Sequence, residues 1–314
     1  MTMNLAKRPP IVKVGVFPAP LQAVIDEEFE CLSPDEATGD PTVAAGVRAL
    51  ITRSNHVVPQ SLLEQLPALA VVATSGVGFD GIPVRYAQQR GIAVANTPGV
   101  LDAAVCELAI GLLLALLRQL PEADRFVRSG RWEQDAFQLG TGLAGKRVGI
   151  VGLGRLGRGI AARLQPFDVD IRYSGRAKPD VPYRHAGSVV QLADEVDILI
   201  VSCSGGPATH HLIDAEVLRA LGPRGFLVNV SRGTVVDEAA LAEALAAGRL
   251  RGAALDVFEH EPLVDSRLAA MGNVLLTPHI GSATAETRTA MLRLTLDNLH
   301  AVLRGEPALT PVPY

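Results

Sequence analysis

The stretch Arg147–Leu164, "RVGIVGLGRLGRGIAARL", decides the fold. An apolar strand, Val148 to Val151, runs straight into Gly152-x-Gly154-x-x-Gly157. A helical pattern follows, with Ile160, Ala161 and Leu164 on one side, and a second strand, "VDIRY", closes a βαβ unit. A glycine triplet alone is weak, since any tight strand-to-helix turn needs glycine. In this context each glycine gains a purpose. The three supply a sharp turn, close approach of backbone to a pyrophosphate, and tight packing of helix on strand. The helix N-terminus adds free N–H groups and positive dipole for phosphates. The segment therefore reads as a dinucleotide-binding loop.

At the end of the second strand stands "YSGR", Tyr173 to Arg176, with Ser174 22 residues beyond Gly152. An acidic residue in this region would hold the ribose hydroxyls of NAD. None is present. Ser174 offers a hydroxyl instead, and Arg176 a guanidinium fork matched to phosphate oxygens. An exposed loop arginine is the plainer reading. The intact loop and the missing acid favour NADP(H) over NAD(H).

Outward from this unit, apolar runs alternate with helical patterns. "KVGVF", "ALIT", "LAVVAT" and "IAVAN" read as strands of a first series. "RVGIVG", "VDIRYS", "DILIVS", "GFLVNVS", "GAALDV" and "VLLTPH" form a second. A long helical pattern from about Asp102 to Gln119 joins them, and a last one covers about Ala283 to Leu303. Continuous apolar strands between helices predict α/β architecture, with parallel sheets covered on both faces. The chain has 314 residues, enough for two cores. Its formal net charge of −4 gives no field that would attract nucleic acid. The N-terminus has no apolar h-region, and the longest apolar run, Leu108 to Leu117, is too short to span a bilayer. Cys31, Cys106 and Cys203 are odd in number and lack metal-ligand spacing, so reduced thiols, a cytoplasmic location and no metal site are expected.

Three polar residues stand at strand ends in the second series: Arg232 after "FLVNVS", Glu261 after "ALDVFEH" and His279 after "VLLTP". The carboxyl ends of strands border the binding crevice of an open parallel sheet. Reduction of a 2-keto acid needs a carboxylate anchor, a proton donor and a group that orients the donor, and arginine, histidine and glutamate match those needs. Each has a bland reading as an ordinary loop residue. Spacing alone leaves Glu259 and Glu261 equivalent, one on either side of His260. His210 and His211 read as surface residues.

"VGLGRLG", "NVSRGTVVDEAAL", "GAALDVFEHEPL" and "LLTPHIGSAT", with "TSGVGFDGI" and "NTPGVLDAAVCELAIGLLLALLR", together closely resemble the D-isomer-specific 2-hydroxyacid dehydrogenases over essentially the whole chain. Within that family the chain is most similar to NADPH-using glyoxylate/hydroxypyruvate reductases. The resemblance implies two flavodoxin-like or Rossmann-like domains with a cleft between them: residues 1–100 plus 284–314 for substrate, and 101–283 for the dinucleotide. It places the family's catalytic arginine on Arg232, its acid on Glu261, directly before Pro262, and its acid/base on His279. It also sets Gly152, Gly154, Arg155, Leu156, Gly157, Ser174, Arg176, Cys203, Thr209, Val230, Ser231, Asp256, Gly281 and Ser282 along the cofactor.

In the first series, "ATSGVGFDG" (Ala73 to Gly81) follows a strand. It is either a tight turn or a nest of N–H groups able to hold a carboxylate. By resemblance the amides of Val77 and Gly78 hold the substrate carboxylate. Gly76 stands where the family often has serine, which leaves a side-chain contact there open. Arg53 ends another strand and is expected either at the distal end of the substrate or at the surface. Trp132 and Phe137 read as core, or as part of an arm that in related reductases crosses to the other subunit of a homodimer. The expected activity is reduction of glyoxylate and hydroxypyruvate to glycolate and D-glycerate. The alternatives are reduction of bulkier aromatic keto acids such as hydroxyphenylpyruvate, or a dinucleotide-sensing binding protein. The short termini speak against the last.

Overall fold

The computed structural model describes residues 8–176 and 180–313. Residues 1–7, part of the N-terminal segment that lacks an apolar h-region, lie outside this range. Two compact units divide the chain: the residues up to Leu101 together with those from Thr284 on, and Asp102–Ala283.

The first unit carries five parallel strands: β1 (Pro10–Lys13), β2 (Glu30–Leu32), β3 (Ala49–Arg53), β4 (Val71–Ser75) and β5 (Ala93–Ala95). Their spatial order is β2-β1-β3-β4-β5, the flavodoxin-like winding. Successive residues of a strand face opposite sides of the sheet, so each strand feeds two cores. Val12, Leu50, Val72 and Val94 face one core with Leu62, Leu63 and Leu66. Ile11, Ala49, Ile51, Val71, Ala73 and Ala95 face the other, where Leu292, Leu296 and Leu299 of the helix Ala285–Leu303 cover them. Each of these leucines, nearly or fully buried, contributes roughly 1.5–3 kcal/mol of transfer free energy. That helix comes last in the chain yet completes the first unit.

"KVGVF" proves not to be a strand. β1 ends at Lys13, although the amide of Val14 still reaches the carbonyl of Ile51 at 2.9 Å. Gly15 has φ +95°, and a Cβ there would lie 2.6 Å from the His56 ring. The apolar run is interrupted by a glycine in left-handed backbone, which a ladder cannot accommodate.

The second unit has seven parallel strands: β6 (Arg147–Val151), β7 (Asp170–Ser174), β8 (Arg184–His185), β9 (Ile198–Val201), β10 (Phe226–Asn229), β11 (Gly252–Leu255) and β12 (Val274–Leu276). The order β12-β11-β10-β9-β6-β7-β8 is that of a doubly wound dinucleotide fold, with the direction of winding reversed between β6 and β9. All residues of β9, β10 and β11 are buried, as expected of central strands covered on both faces. The helix Asp102–Arg118 buries Leu112, Leu113, Leu116 and Leu117 within this unit and packs along the helix Arg155–Leu164. No single helix among the described residues is long and apolar enough to cross a membrane.

Candidate active site and dinucleotide loop

The loop after β6 is shaped by glycine. The amide of Gly152 donates to the carbonyl of Ser174 at 2.8 Å, which fastens the turn to the end of β7. Gly152 has φ +91°, and a Cβ there would meet the Cys203 backbone at 2.6 Å. At Gly157 a Cβ would stand 2.1 Å from the carbonyl oxygen of Gly152. Gly154 is different: nothing lies within 4 Å of its would-be Cβ, and the helix Arg155–Leu164 begins directly after it. Two glycines therefore allow the protein to pack against itself, and the third keeps a surface open at a helix N-terminus. That arrangement suits a pyrophosphate.

At the end of β7, Ser174 is 6% exposed and Arg176 is exposed. Arg155 pairs with Asp102 at 3.3 Å, and Leu156 accepts from the Cys106 thiol through its carbonyl. Cys203 is partly buried, and burial pushes its thiol up to about 11. The Thr209 hydroxyl donates to the carbonyl of Ser204 at 2.8 Å. Val230 and Ser231 are buried just after β10, and the Ser231 hydroxyl donates to Asn229 Oδ1 at 2.8 Å. Gly281 is buried and Ser282 partly so.

The catalytic candidates lie on the segments after β10, β11 and β12. His279 Nδ1 and Glu261 Oε2 are 2.7 Å apart. The other Glu261 oxygen accepts from the Phe258 amide at 3.1 Å, so the carboxylate is oriented from both sides. Burial pushes the Glu261 carboxyl up. The hydrogen bond and charge of His279, with a further contribution from the Arg232 charge, outweigh it and hold Glu261 below the usual carboxylate range. Glu259 takes no part in this pair, so the geometry separates two glutamates that spacing left equivalent. Arg232 is partly exposed, and its Nη1 donates to the Ser231 carbonyl at 2.8 Å. Asn229 Nδ2 donates to the Arg232 carbonyl at 3.0 Å. Gly205 and Gly233 flank the arginine closely: Cβ atoms there would stand 2.6 Å from Arg232 Cγ and 1.8 Å from the Phe258 carbonyl carbon, respectively.

His279 has φ +52°, unusual for a non-glycine residue. The bonds that hold it there come from Asp256. The carbonyl of Asp256 accepts the His279 amide at 2.8 Å. Its Oδ1 accepts from the Thr277 hydroxyl at 2.7 Å and the Ile280 amide at 2.8 Å, and its Oδ2 from the Gly281 amide at 2.8 Å. Burial raises the Asp256 carboxyl despite these donors. Asp256, 2% exposed, braces the histidine loop, a role that the sequence did not reveal.

In the first unit, Gly76 has φ +155°, and a Cβ would lie 2.3 Å from Ser54 Oγ, which accounts for glycine here. The carbonyls of Gly76 and Val77 accept from the Thr97 amide at 2.9 Å and Asn96 Nδ2 at 2.7 Å. Val77 and Gly78 are partly exposed. Arg53 is half-buried, and its Nη1 donates to the Val16 carbonyl at 2.9 Å. Phe137 packs edge-on against Phe126 with ring centroids 5.3 Å apart, while Trp132 is 69% exposed. His211, expected at the surface, bonds to Glu259 at 2.8 Å.

A sequence profile described as "D-isomer specific 2-hydroxyacid dehydrogenase, NAD binding domain" matches residues 110–281. A glyoxylate/hydroxypyruvate reductase A of Arabidopsis thaliana is 46% identical over 297 residues, 93% of this chain and 95% of that protein. A hydroxyphenylpyruvate reductase of Plectranthus scutellarioides is 47% identical over 270 residues, 86% of each. Among solved structures, an NADPH-dependent glyoxylate/hydroxypyruvate reductase of Sinorhizobium meliloti, in complex with NADP and malonate, superimposes with a TM-score of 0.90. It is 42% identical, and the match covers 98% of this chain and 97% of that one.

Proposed function

The chain belongs to the D-isomer-specific 2-hydroxyacid dehydrogenases, and from that premise we propose that it reduces glyoxylate and hydroxypyruvate to glycolate and D-glycerate with NADPH. The observation that carries the reading is the 2.7 Å pair of His279 and Glu261, held on loops that follow neighbouring strands. His279 Nε2 gives a proton to the substrate's carbonyl oxygen while Nδ1 keeps its bond to Glu261. Glu261 fixes the ring and offsets its positive charge. The Arg232 guanidinium binds the keto acid's carboxylate and polarises its carbonyl. Within the first unit, the partly exposed Val77 and Gly78 amides are the groups suited to a substrate carboxylate, and Arg53 is the group suited to its distal end.

NADPH, when bound, supplies the hydride. Gly152, Gly154 and Gly157 with the N-terminus of the helix Arg155–Leu164 hold its pyrophosphate, and Arg155, Leu156, Cys203, Thr209, Val230, Ser231, Asp256, Gly281 and Ser282 line its length. Arg176 and Ser174 take the 2′-phosphate. The exposure of Arg176 and the lack of an acid at the end of β7 support the preference over NADH.

The protein acts in the cytoplasm as a homodimer on this reading. The long helix buries Leu112, Leu113, Leu116 and Leu117 but leaves Leu108, Ile110 and Leu114 partly exposed, so the helix and the arm that follows it both support a dimer. In the arm, Leu120, Val127, Trp132 and Leu139 are between 52% and 90% exposed. The Plectranthus relative favours aromatic 2-keto acids as a second reading. Assays of glyoxylate, hydroxypyruvate and hydroxyphenylpyruvate, each with NADPH and NADH, decide both points. Turnover of none of them overturns the reading, and faster turnover of hydroxyphenylpyruvate selects the second one.

A further inference from the structure

The three side chains His210, His211 and Glu259 play no part in the proton-transfer pair, yet they converge. Each offers one ligand atom, and these atoms lie within 4.8 Å of one another. His211 Nε2 is 2.8 Å and His210 Nε2 4.0 Å from the same oxygen, Glu259 Oε1. The two imidazoles are stacked with centroids 4.0 Å apart. Consecutive residues in extended backbone point their side chains to opposite sides. Here His211 takes φ +49°, a left-handed conformation uncommon for histidine, and both rings come to one side. An outlier of that kind is a reason to look for function.

The supporting groups are in place. The His211 amide donates to the Thr234 carbonyl at 2.8 Å, and the Glu259 amide donates to Glu238 Oε1 at 2.7 Å. These bonds fix the backbone from which two of the three ligands project, as outer-shell contacts do in metal sites. Two imidazole nitrogens and one carboxylate oxygen suit a borderline divalent ion rather than Mg²⁺ or Ca²⁺, which prefer all-oxygen shells. Zinc bonds to nitrogen and oxygen of roughly 2.0–2.2 Å place tetrahedral ligand atoms about 3.4 Å apart. The observed 2.8 and 4.0 Å bracket that spacing. Rotation of the exposed His210 ring closes the longer gap.

We propose that His210, His211 and Glu259 form a binding site for one Zn²⁺-class divalent ion. The ion joins the segment after β9 to the segment after β11. It replaces the hydrogen bond between His211 and Glu259, and its fourth position is left to water. Glu259 lies two residues before Glu261, so the ion also stiffens the segment that carries the partner of His279.

The test uses the full chain, free of any tag and stripped with a chelator. Calorimetric titration with ZnCl₂ should show one saturable site, and Zn²⁺ should raise Tm. His210→Ala and Glu259→Gln should each weaken binding at least about tenfold and remove the rise in Tm. Co²⁺ should give the visible band of a low-coordinate site in the wild type and not in either variant. His210 is exposed, so His210→Ala should fold normally, which a melting curve without metal checks. His300→Ala breaks a His–Glu pair in the other unit and should bind Zn²⁺ as the wild type does. Absence of saturable binding at on the order of 0.1 mM Zn²⁺ overturns the proposal. So does binding that survives both His210→Ala and Glu259→Gln. The readout is binding, so this result stands apart from the outcome of the reductase assays.

Discussion

The glycine loop after β6 and the loops after β11 and β12 do neighbouring jobs by opposite means. The first is a matter of what is missing. Side chains are absent at Gly152 and Gly157 because backbone already occupies the space, and absent at Gly154 because the space is to stay open. The second is a matter of what is present. Asp256 commits both carboxylate oxygens and its carbonyl to residues Thr277 to Gly281, and the result is a histidine held in left-handed backbone against Glu261. Steric exclusion writes itself into sequence as glycine at fixed spacing. A hydrogen-bonded brace leaves no such pattern, since its partners are more than twenty residues apart.

The contrast can be broken most decisively at His279. His279→Ala should lower kcat for hydroxypyruvate by roughly 10²–10⁴ while NADPH still binds with near wild-type affinity. A variant with near wild-type turnover would show that the braced loop carries no chemistry. At the end of β7, Arg176→Ala should raise the KM for NADPH by about 10- to 100-fold, the range of a charge-assisted hydrogen bond of roughly 1.5–3 kcal/mol, and leave that for NADH little changed. Equal kcat/KM for the two cofactors in the wild type would mean that Arg176 selects neither.

A pair of substitutions sharpens the account of the loop itself. Gly157→Ala forces a methyl against the Gly152 carbonyl and should cost about 1–3 kcal/mol of stability, read by denaturant unfolding. Gly154→Ala meets nothing in the protein, so its Tm should stay at the wild-type value while its KM for NADPH rises. Equal losses of Tm in the two would remove the distinction drawn between these glycines.

The smallest effect concerns pH. The Glu261 carboxyl lies below its ordinary value, so its pairing with His279 stabilises the fold above the usual carboxylate range. That contribution is lost as pH falls through the lowered value. Tm should therefore fall less on acidification in Glu261→Gln than in the wild type. Identical acid profiles would show that the pair is not coupled to folding.

How much of the molecule is legible in its sequence depends on what each feature leaves in the residues. Central strands such as Ile198–Val201 and Phe226–Asn229 are buried on both faces and show as plain apolar runs. The short strands Glu30–Leu32 and Arg184–His185 lie at sheet edges and contain exposed polar residues, so no apolar run announces them. "KVGVF" reads as a strand because periodicity does not report the sign of φ at Gly15. The roles proposed for Arg232, Glu261 and His279 rest on family motifs, and coordinates are needed to see Glu261 pair with His279. The His211–Glu259 contact is invisible for a simpler reason: 48 residues separate its partners.

The order of strands in the second unit has a consequence for how such a protein can change. Arg176 follows β7, on one side of the reversal between β6 and β9, whereas Arg232, Glu261 and His279 follow β10, β11 and β12 on the other. The residue proposed to choose the coenzyme and those proposed to handle the keto acid thus sit on different halves of one sheet, with β6 and β9 between them. Substitutions in the two groups should be nearly additive in free energy. A lineage, or an engineer, can retune coenzyme choice to the supply of reducing power without reopening the question of how the proton is delivered.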